Sequence, residues 1–475
     1  MKRILLLILA LAMLIPSLVA CGKKDDQSDG GSNTDLPDQN TAEEYYLNTL
    51  SKTYDADEIL ICTQADNTKG DTELTTESTL VDQAIFERHV LLEEKFDIEI
   101  LFDTLPGDVS EDMTRMRTMA TVDEGADFFI HQGKALMTLA IEGNIKKLND
   151  VPTVNLAKDW WNQSMVENTT INNVTYIAGG PFTPWYYGAP IAIAFNKDLV
   201  TRYEIPDLYE TVSSGNWTLE EMAKISKDYG IYNEEQEMYP IAVNTTNPTY
   251  SLFVSSGGKM TELSDDGVIS VSHLGNEASR NILEDVLDAC SPQTNYFQSV
   301  SNSAGKFIEG KAVLWVTSVG FIANRLRTSE IDYGIIPCPK LDSSQPEYIS
   351  TGLANSSFCV GIPARLEGEY ANWVGTFMEA YCFLGYDKIK PARYDTLLKY
   401  QVALDPSASE MMDIIFGNMY FDLNMFCDFG GSANLIANVC NGSVSLGMFT
   451  SLFTGLKPAM DAAIREYDVL VGRTS

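Results

Sequence analysis

Cys21 is the first residue whose chemistry its neighbours define. Leu18-Val19-Ala20-Cys21 closes a stretch that opens with Lys2 and Arg3 and continues through mostly apolar residues from Ile4 to Ala20. Two positive charges, a short apolar core and small residues before a cysteine describe a secretory signal over residues 1–20, cut to leave a thiol that carries lipid. The apolar run is borderline in length for a membrane span, and its lipobox-like end favours cleavage and lipidation over spanning.

Other reactive residues are sparse. The chain has three histidines, no CxxC and no HExxH, so no recognisable metal site is present. Of eight cysteines, seven remain once Cys21 is taken by lipid, and an odd number cannot all pair. Cys62, Cys338, Cys359 and Cys382 lie in apolar or strand-like runs where a buried free thiol is usual. Cys427 and Cys440 are close enough in sequence for a local bridge. Gly305–Ala312 has the spacing of a phosphate-binding loop, but alanine follows Lys311 where magnesium needs a hydroxyl, and the segment leads into a strand instead of a helix. With no GxSxG and no catalytic cysteine–histidine signature, no catalytic residue, metal or cofactor is expected, and the chain reads as a non-enzyme.

The elements that position polar residues are clearer. Glu58–Gln64 is an apolar run of strand length. Val81, Ile85, Leu92 and Phe96 fall on one helical stripe, Asp97–Phe102 reads as a second strand, a helix spans about 111–120, and Ala126–His131 reads as a third strand. Strand, helix, strand, helix, strand predicts a doubly wound parallel sheet, whose ligands sit beyond the carboxyl ends of the strands. That rule brings Asp66, Asn67, His131 and Gln132 to a crevice; His89 and His273 read as structural. Trp185-Tyr186-Tyr187 forms an aromatic cluster before a turn and another strand. Thr218 with Glu221 reads as a capping box, with Trp217 stapled onto Met222. Strands at Ala312–Val316 and Asp332–Pro337 mark a second α/β unit.

Composition sets the setting. Hydrophobic residues at 45% and aromatic residues at 10% can build a large core, while a formal charge of −33 excludes nucleic acid and disfavours anionic membrane surfaces. From Cys21 to residue 54 the chain is expected to be a solvated, disordered tether, with a reach of roughly 30 Å for its Gly/Ser/Asp-rich composition.

Several ordered blocks resemble the extracellular solute-binding proteins of ABC importers, in the family that contains maltose-binding protein. They are Ala126-Asp127 with Gly143-Asn144-Ile145, Phe195-Asn196-Lys197-Asp198, Trp217-Thr218-Leu219-Glu220-Glu221, Ser256-Gly257-Gly258, Phe307–Ala312, Asp332–Pro337 and Gly352–Pro363. The resemblance spans roughly residues 55–465 and implies a two-lobe, periplasmic-binding-protein-like type II α/β fold with hinge-crossing strands near Trp185–Ile193 and Thr351–Phe358. It divides the chain into residues 55–188 plus 356–410 and residues 189–355 plus 411–475. It also implies a cleft lined by Asp66, Asn67, His131, Gln132, Trp185, Tyr186, Tyr187, Asn247, Tyr250, Thr317, Ser318 and Asn355.

These residue types suit a sugar. A pyranose has an apolar face for an aromatic platform and a rim of hydroxyls for side chains that donate and accept hydrogen bonds. The expected protein is a monomer tethered by Cys21 to the outer face of the cytoplasmic membrane. It would close on a mono- or oligosaccharide and be read by the transmembrane subunits of an ABC permease. A secreted carbohydrate-active enzyme, a peptide or polyamine receptor and a surface sensor are the alternatives.

Overall fold

Twelve short strands carry the architecture of a computed structural model that describes residues 42–50, 54–64, 79–243, 247–264, 267–290, 296–298, 302–326, 328–352, 356–394 and 406–473. The chain divides into two compact units, Met1–Tyr45 and Tyr46–Ser475, and the account below concerns the second. Cys21 and the signal lie outside the described residues. The tether expected to reach residue 54 ends earlier: Ala42–Thr49 is helical, Leu47 is buried, and the Tyr46 ring packs on Trp160 and Phe383. Two large apolar side chains in that short helix find partners, which a tether composition would not provide.

The first sheet draws on β1 (Glu58–Gln64), β2 (Glu99–Leu105), β3 (Phe128–Gln132) and β4 (Ala178–Gly179). The second opens with β5 (Ile191–Asn196) and β6 (Tyr239–Val243), followed by a small hairpin of β7 (Glu262–Leu263) and β8 (Ile269–Ser270). Then come β9 (Tyr296–Gln298), β10 (Ala312–Ser318), β11 (Tyr333–Pro337) and finally β12 (Phe358–Gly361), which returns to the first sheet. The strand orders are β2-β1-β3-β12-β4 and β11-β5-β10-β6-β9.

β1 pairs in parallel with β2 and β3, as the βαβαβ pattern requires, through the helices Leu80–Phe96 and Val109–Thr121. β2 starts two residues later than the sequence indicated, because Asp97 caps the preceding helix in a left-handed conformation (φ 53°). The sheets are mixed instead of wholly parallel. β12 runs antiparallel to β3 and β4, and β5 runs antiparallel to β10 and β11, since a chain that crosses from one sheet to the other re-enters in the opposite sense.

Both faces of each sheet are covered. Phe128 and Ile130 join a core with Trp373, Phe377 and Tyr381 of the helix Gly368–Leu384, while Phe129 between them joins Met116 and Leu136 on the other face. The period-2 alternation of a strand sends neighbours to opposite faces, so continuous apolar runs are what a doubly covered sheet needs. In the second sheet Trp315 packs with Phe307 and Ile335, whereas Leu314 and Val316 belong to the larger core.

Several segments pass between the sheets. Residues 180–190 follow β4 into β5, and residues 338–357 lead from β11 back to β12. The two lie side by side where Pro190 bridges Gly352 and the Ile191 N–H donates to Thr351. A third passage follows the helix Gly368–Leu384, after which the helix Pro406–Gly417 packs on β11 of the second sheet. Farther on, Leu423–Cys427 packs on the first-sheet helix Gly133–Ile141, so the C-terminal elements touch both sheets. All seven described cysteines are free, Cys427 and Cys440 included, which removes the local bridge. Trp217 is fully buried and its indole donates to the Pro337 carbonyl. Thr218 caps the following helix through the Glu221 N–H, but the Glu221 carboxylate turns to Lys224, leaving the capping box half made.

Candidate functional site

A cavity of about 390 Å³ lies where the first and third passages meet. Its walls come from the loop around Trp161 and Asn162, from Pro181, Tyr186 and Tyr187, from Tyr386, Lys390 and Tyr394, and from Asp413 and Phe416. This volume falls within the range of small-molecule sites, and aromatic walls with a few placed polar groups are their usual lining.

Local sequence explains the two tyrosines. Pro184 starts the short 3₁₀ helix Pro184–Gly188, with its ring fixing the first turn. Consecutive residues leave that turn in different directions. Tyr186 accepts a hydrogen bond from Asn162 Nδ2 at 2.7 Å, while Tyr187 packs toward Tyr394 and Phe416, each with ring centroids 5.8 Å away. Asn162 also caps the helix Gln163–Thr169 through Met165 N, so one side chain fixes both the helix entry and a cavity ring. Burial raises the Tyr186 phenol above its ordinary value and keeps it neutral.

Tyr386, Lys390 and Tyr394 form the opposite wall. The helix Gly368–Leu384 widens into a π turn over Gly385–Ile389, and residues four apart along this extension share one face. Lys390 Nζ sits 4.5 Å from the Tyr386 ring centroid, and Tyr394 donates its hydroxyl to Asp413 Oδ1 at 2.7 Å. Tyr394 and Phe416 meet edge to face at 4.9 Å. Such a site offers apolar ring faces beside tyrosine hydroxyls, the Asn162 amide, the Lys390 ammonium and the carboxylates of Asp159 and Asp413, the donors and acceptors that a neutral polyhydroxyl ligand requires.

The structure brings only part of the sequence-predicted set here. Tyr186 and Tyr187 line the cavity. Trp185 is half-buried and packs with the first-sheet core. His131 does not face a crevice: it has no exposed surface, its Nε2 lies 3.1 Å from Asp112 Oδ2, and burial lowers its pKa despite that carboxylate. Gln132 is half-buried at the start of the helix Gly133–Ile141, opposite Phe358 in the ladder. Thr317 is wholly buried and Tyr250 nearly so. Ser318 is half-buried and accepts from the Phe321 N–H. Asn247 opens the helix Asn247–Ser255. Asp66, Asn67 and Asn355 lie outside the described residues.

Sequence reasoning missed Trp161, Asn162, Tyr386, Lys390, Tyr394, Asp413 and Phe416. The signal available was Tyr-x₃-Lys-x₃-Tyr at residues 386–394, a spacing that puts three long side chains on one helical face. A larger cavity of about 620 Å³ lies between the β7–β8 hairpin and Tyr420–Leu423. Its walls are chiefly serine, threonine and charged side chains around one ring, Tyr420, so the smaller aromatic cavity is the better candidate. Among the described residues no three His, Cys, Asp or Glu side chains group as a metal site, and no helix is long and apolar enough to cross a membrane.

No protein-family model matches the sequence, and no curated protein matches it either. The three-dimensional structure does have a counterpart, the ABC substrate-binding protein Lmo0181 from Listeria monocytogenes in complex with cycloalternan. The match has a TM-score of 0.55 at 13% identity over 88% of this chain and 100% of that one. At that identity the likeness is one of architecture: this chain has the α/β fold of an ABC substrate-binding protein, with two mixed sheets joined by crossing segments.

Proposed function

We propose that this protein captures a carbohydrate, a mono- or oligosaccharide, in the aromatic cavity and delivers it unchanged to the transmembrane subunits of an ABC importer. It would do so as a monomer held outside the cell by lipid on Cys21. The observation that carries the reading is the cavity itself, in which rings from two inter-sheet passages, Tyr187 from one and Tyr386 and Tyr394 from the other, stand around a hydrogen-bonding rim. A ligand seated there would touch segments that connect the two sheets. It could then shift an open–closed balance by its differential affinity for the closed form. The complex of the structural counterpart with cycloalternan adds support for a sugar.

Calorimetric titration with cycloalternan, linear gluco-oligosaccharides, a peptide set and polyamines tests the reading. A sugar bound with micromolar affinity, worth about −8.2 kcal/mol, is the expected outcome. Tyr386→Ala should weaken that sugar at least about tenfold while the protein stays folded, because the ring is half-buried at the cavity wall and truncated aromatic anchors typically cost more than 1 kcal/mol. Binding of peptide or polyamine alone, or turnover of the sugar, would overturn the assignment.

A further inference from the structure

Behind the Trp161 wall lies a carboxylate with no role in the reading above. Glu379, on the helix Gly368–Leu384, is 3% exposed and accepts three N–H groups. Trp160 Nε1 donates to one oxygen at 2.7 Å; Trp161 Nε1 at 3.2 Å and Asn155 N at 2.6 Å donate to the other. Trp160 is held further by Tyr46 and Phe383, at ring separations of 5.1 and 5.3 Å, which leaves Trp161 as the ring that reaches the cavity.

We propose that Glu379 is a positioning residue for the ligand cavity: its charged carboxylate fixes the Trp161 wall through the indole N–H, and protonation releases that wall. This rests on reading the cavity as the ligand site. A charged carboxylate is the stronger acceptor for all three donors, and a carboxylic acid loses that charge assistance, so protonation weakens the set, in which the Trp161 bond is already the longest at 3.2 Å. Burial opposes the charge and pushes Glu379 up to about 7 in spite of its donors. The other groups facing it are Tyr46 from the N-terminal helix, Lys158 from the loop before Trp160, and Cys382 on its own helix. Arg88 and His89 lie beyond Cys382, against Tyr381. Burial raises Tyr46 and Cys382 and lowers His89, so these three do not change charge near neutrality.

Tryptophan fluorescence of the full chain without ligand, titrated from about pH 5 to about pH 9, tests the proposal. The expected result is an emission change with a midpoint near 7, absent in Glu379→Gln. Trp161→Phe removes both the ring that forms the wall and one donor that favours the charge, so the emission change should shrink to a remainder from Trp160 with its midpoint raised by about half a pH unit or more. A flat titration, a change that survives Glu379→Gln, or an unmoved midpoint in Trp161→Phe would overturn the role. Should Glu379→Gln fail to fold, the Trp161→Phe midpoint decides. Because no ligand takes part, this failure concerns Glu379 alone, whereas failure of every sugar to bind would overturn the reading of the cavity.

Discussion

Asp422→Ala is expected to cost the fold about 4 kcal/mol, among the largest losses any single side chain here can produce. The Asp422 carboxylate is 1% exposed and accepts from Met260 N, Thr261 N, Thr261 Oγ1 and Asn424 N at 2.6 to 2.9 Å, and from the Tyr420 hydroxyl at 3.2 Å. It caps the helix Leu423–Cys427, which packs on the first-sheet helix Gly133–Ile141, and at the same time pins the segment that leads into the β7–β8 hairpin. Alanine would leave several donors buried without an acceptor, at about 1–3 kcal/mol each before relaxation and water entry reduce the sum. Asp422→Asn keeps one acceptor oxygen and should recover part of the loss. Urea unfolding measures both; a midpoint within error of the parent for Asp422→Ala would show that these bonds contribute little net stability.

Gly385→Val is expected to destabilise the protein by about 3 kcal/mol and to abolish ligand capture in the cavity. Its backbone is ordinary right-handed helix, φ −61° and ψ −44°, so no positive φ requires a glycine. Space does. A Cβ here would lie 2.5 Å from Phe182 Cα and 3.1 Å from the Pro181 carbonyl oxygen, and backbone atoms cannot swing aside as a flexible side chain can. Helix propensity favours a side chain over glycine by only about 0.5–1 kcal/mol, less than the cost of forcing a close-packed segment apart. The displaced segment would carry Pro181 away from Tyr386, so the two walls of the cavity would separate. Parallel measurement of the unfolding midpoint and of sugar affinity checks this; a stable variant with unchanged affinity would mean that the helix and the passage slide freely past each other.

The two substitutions mark how far the sequence could be read. Glu58–Gln64 and Phe128–Gln132 were legible as strands because a fully covered sheet demands uninterrupted apolar residues, and Leu80–Phe96 as a helix because its stripe repeats every three to four residues. Tyr186 and Tyr187 stood out as an aromatic run beside a turn. His131 misled, since the end of a strand is where a crevice should open, yet its ring is turned inward to Asp112. Tyr394 was passed over because its significance depends on Tyr187, Asp413 and Phe416, none of them near it in the chain by the rules of a single helix or strand.

By itself the sequence determined that Glu58–Gln64 and Ala312–Ser318 become strands and Leu80–Phe96 a helix, because these depend on periodicity, capping and residue type within a few neighbours. Tertiary structure alone decided that β12 and β5 enter their sheets reversed, that Tyr187 and Phe416 meet Tyr394, and that a buried Glu379 backs Trp161. Those outcomes depend on contacts between residues tens to hundreds of positions apart, and such contacts exist only after the passages have brought the two sheets together.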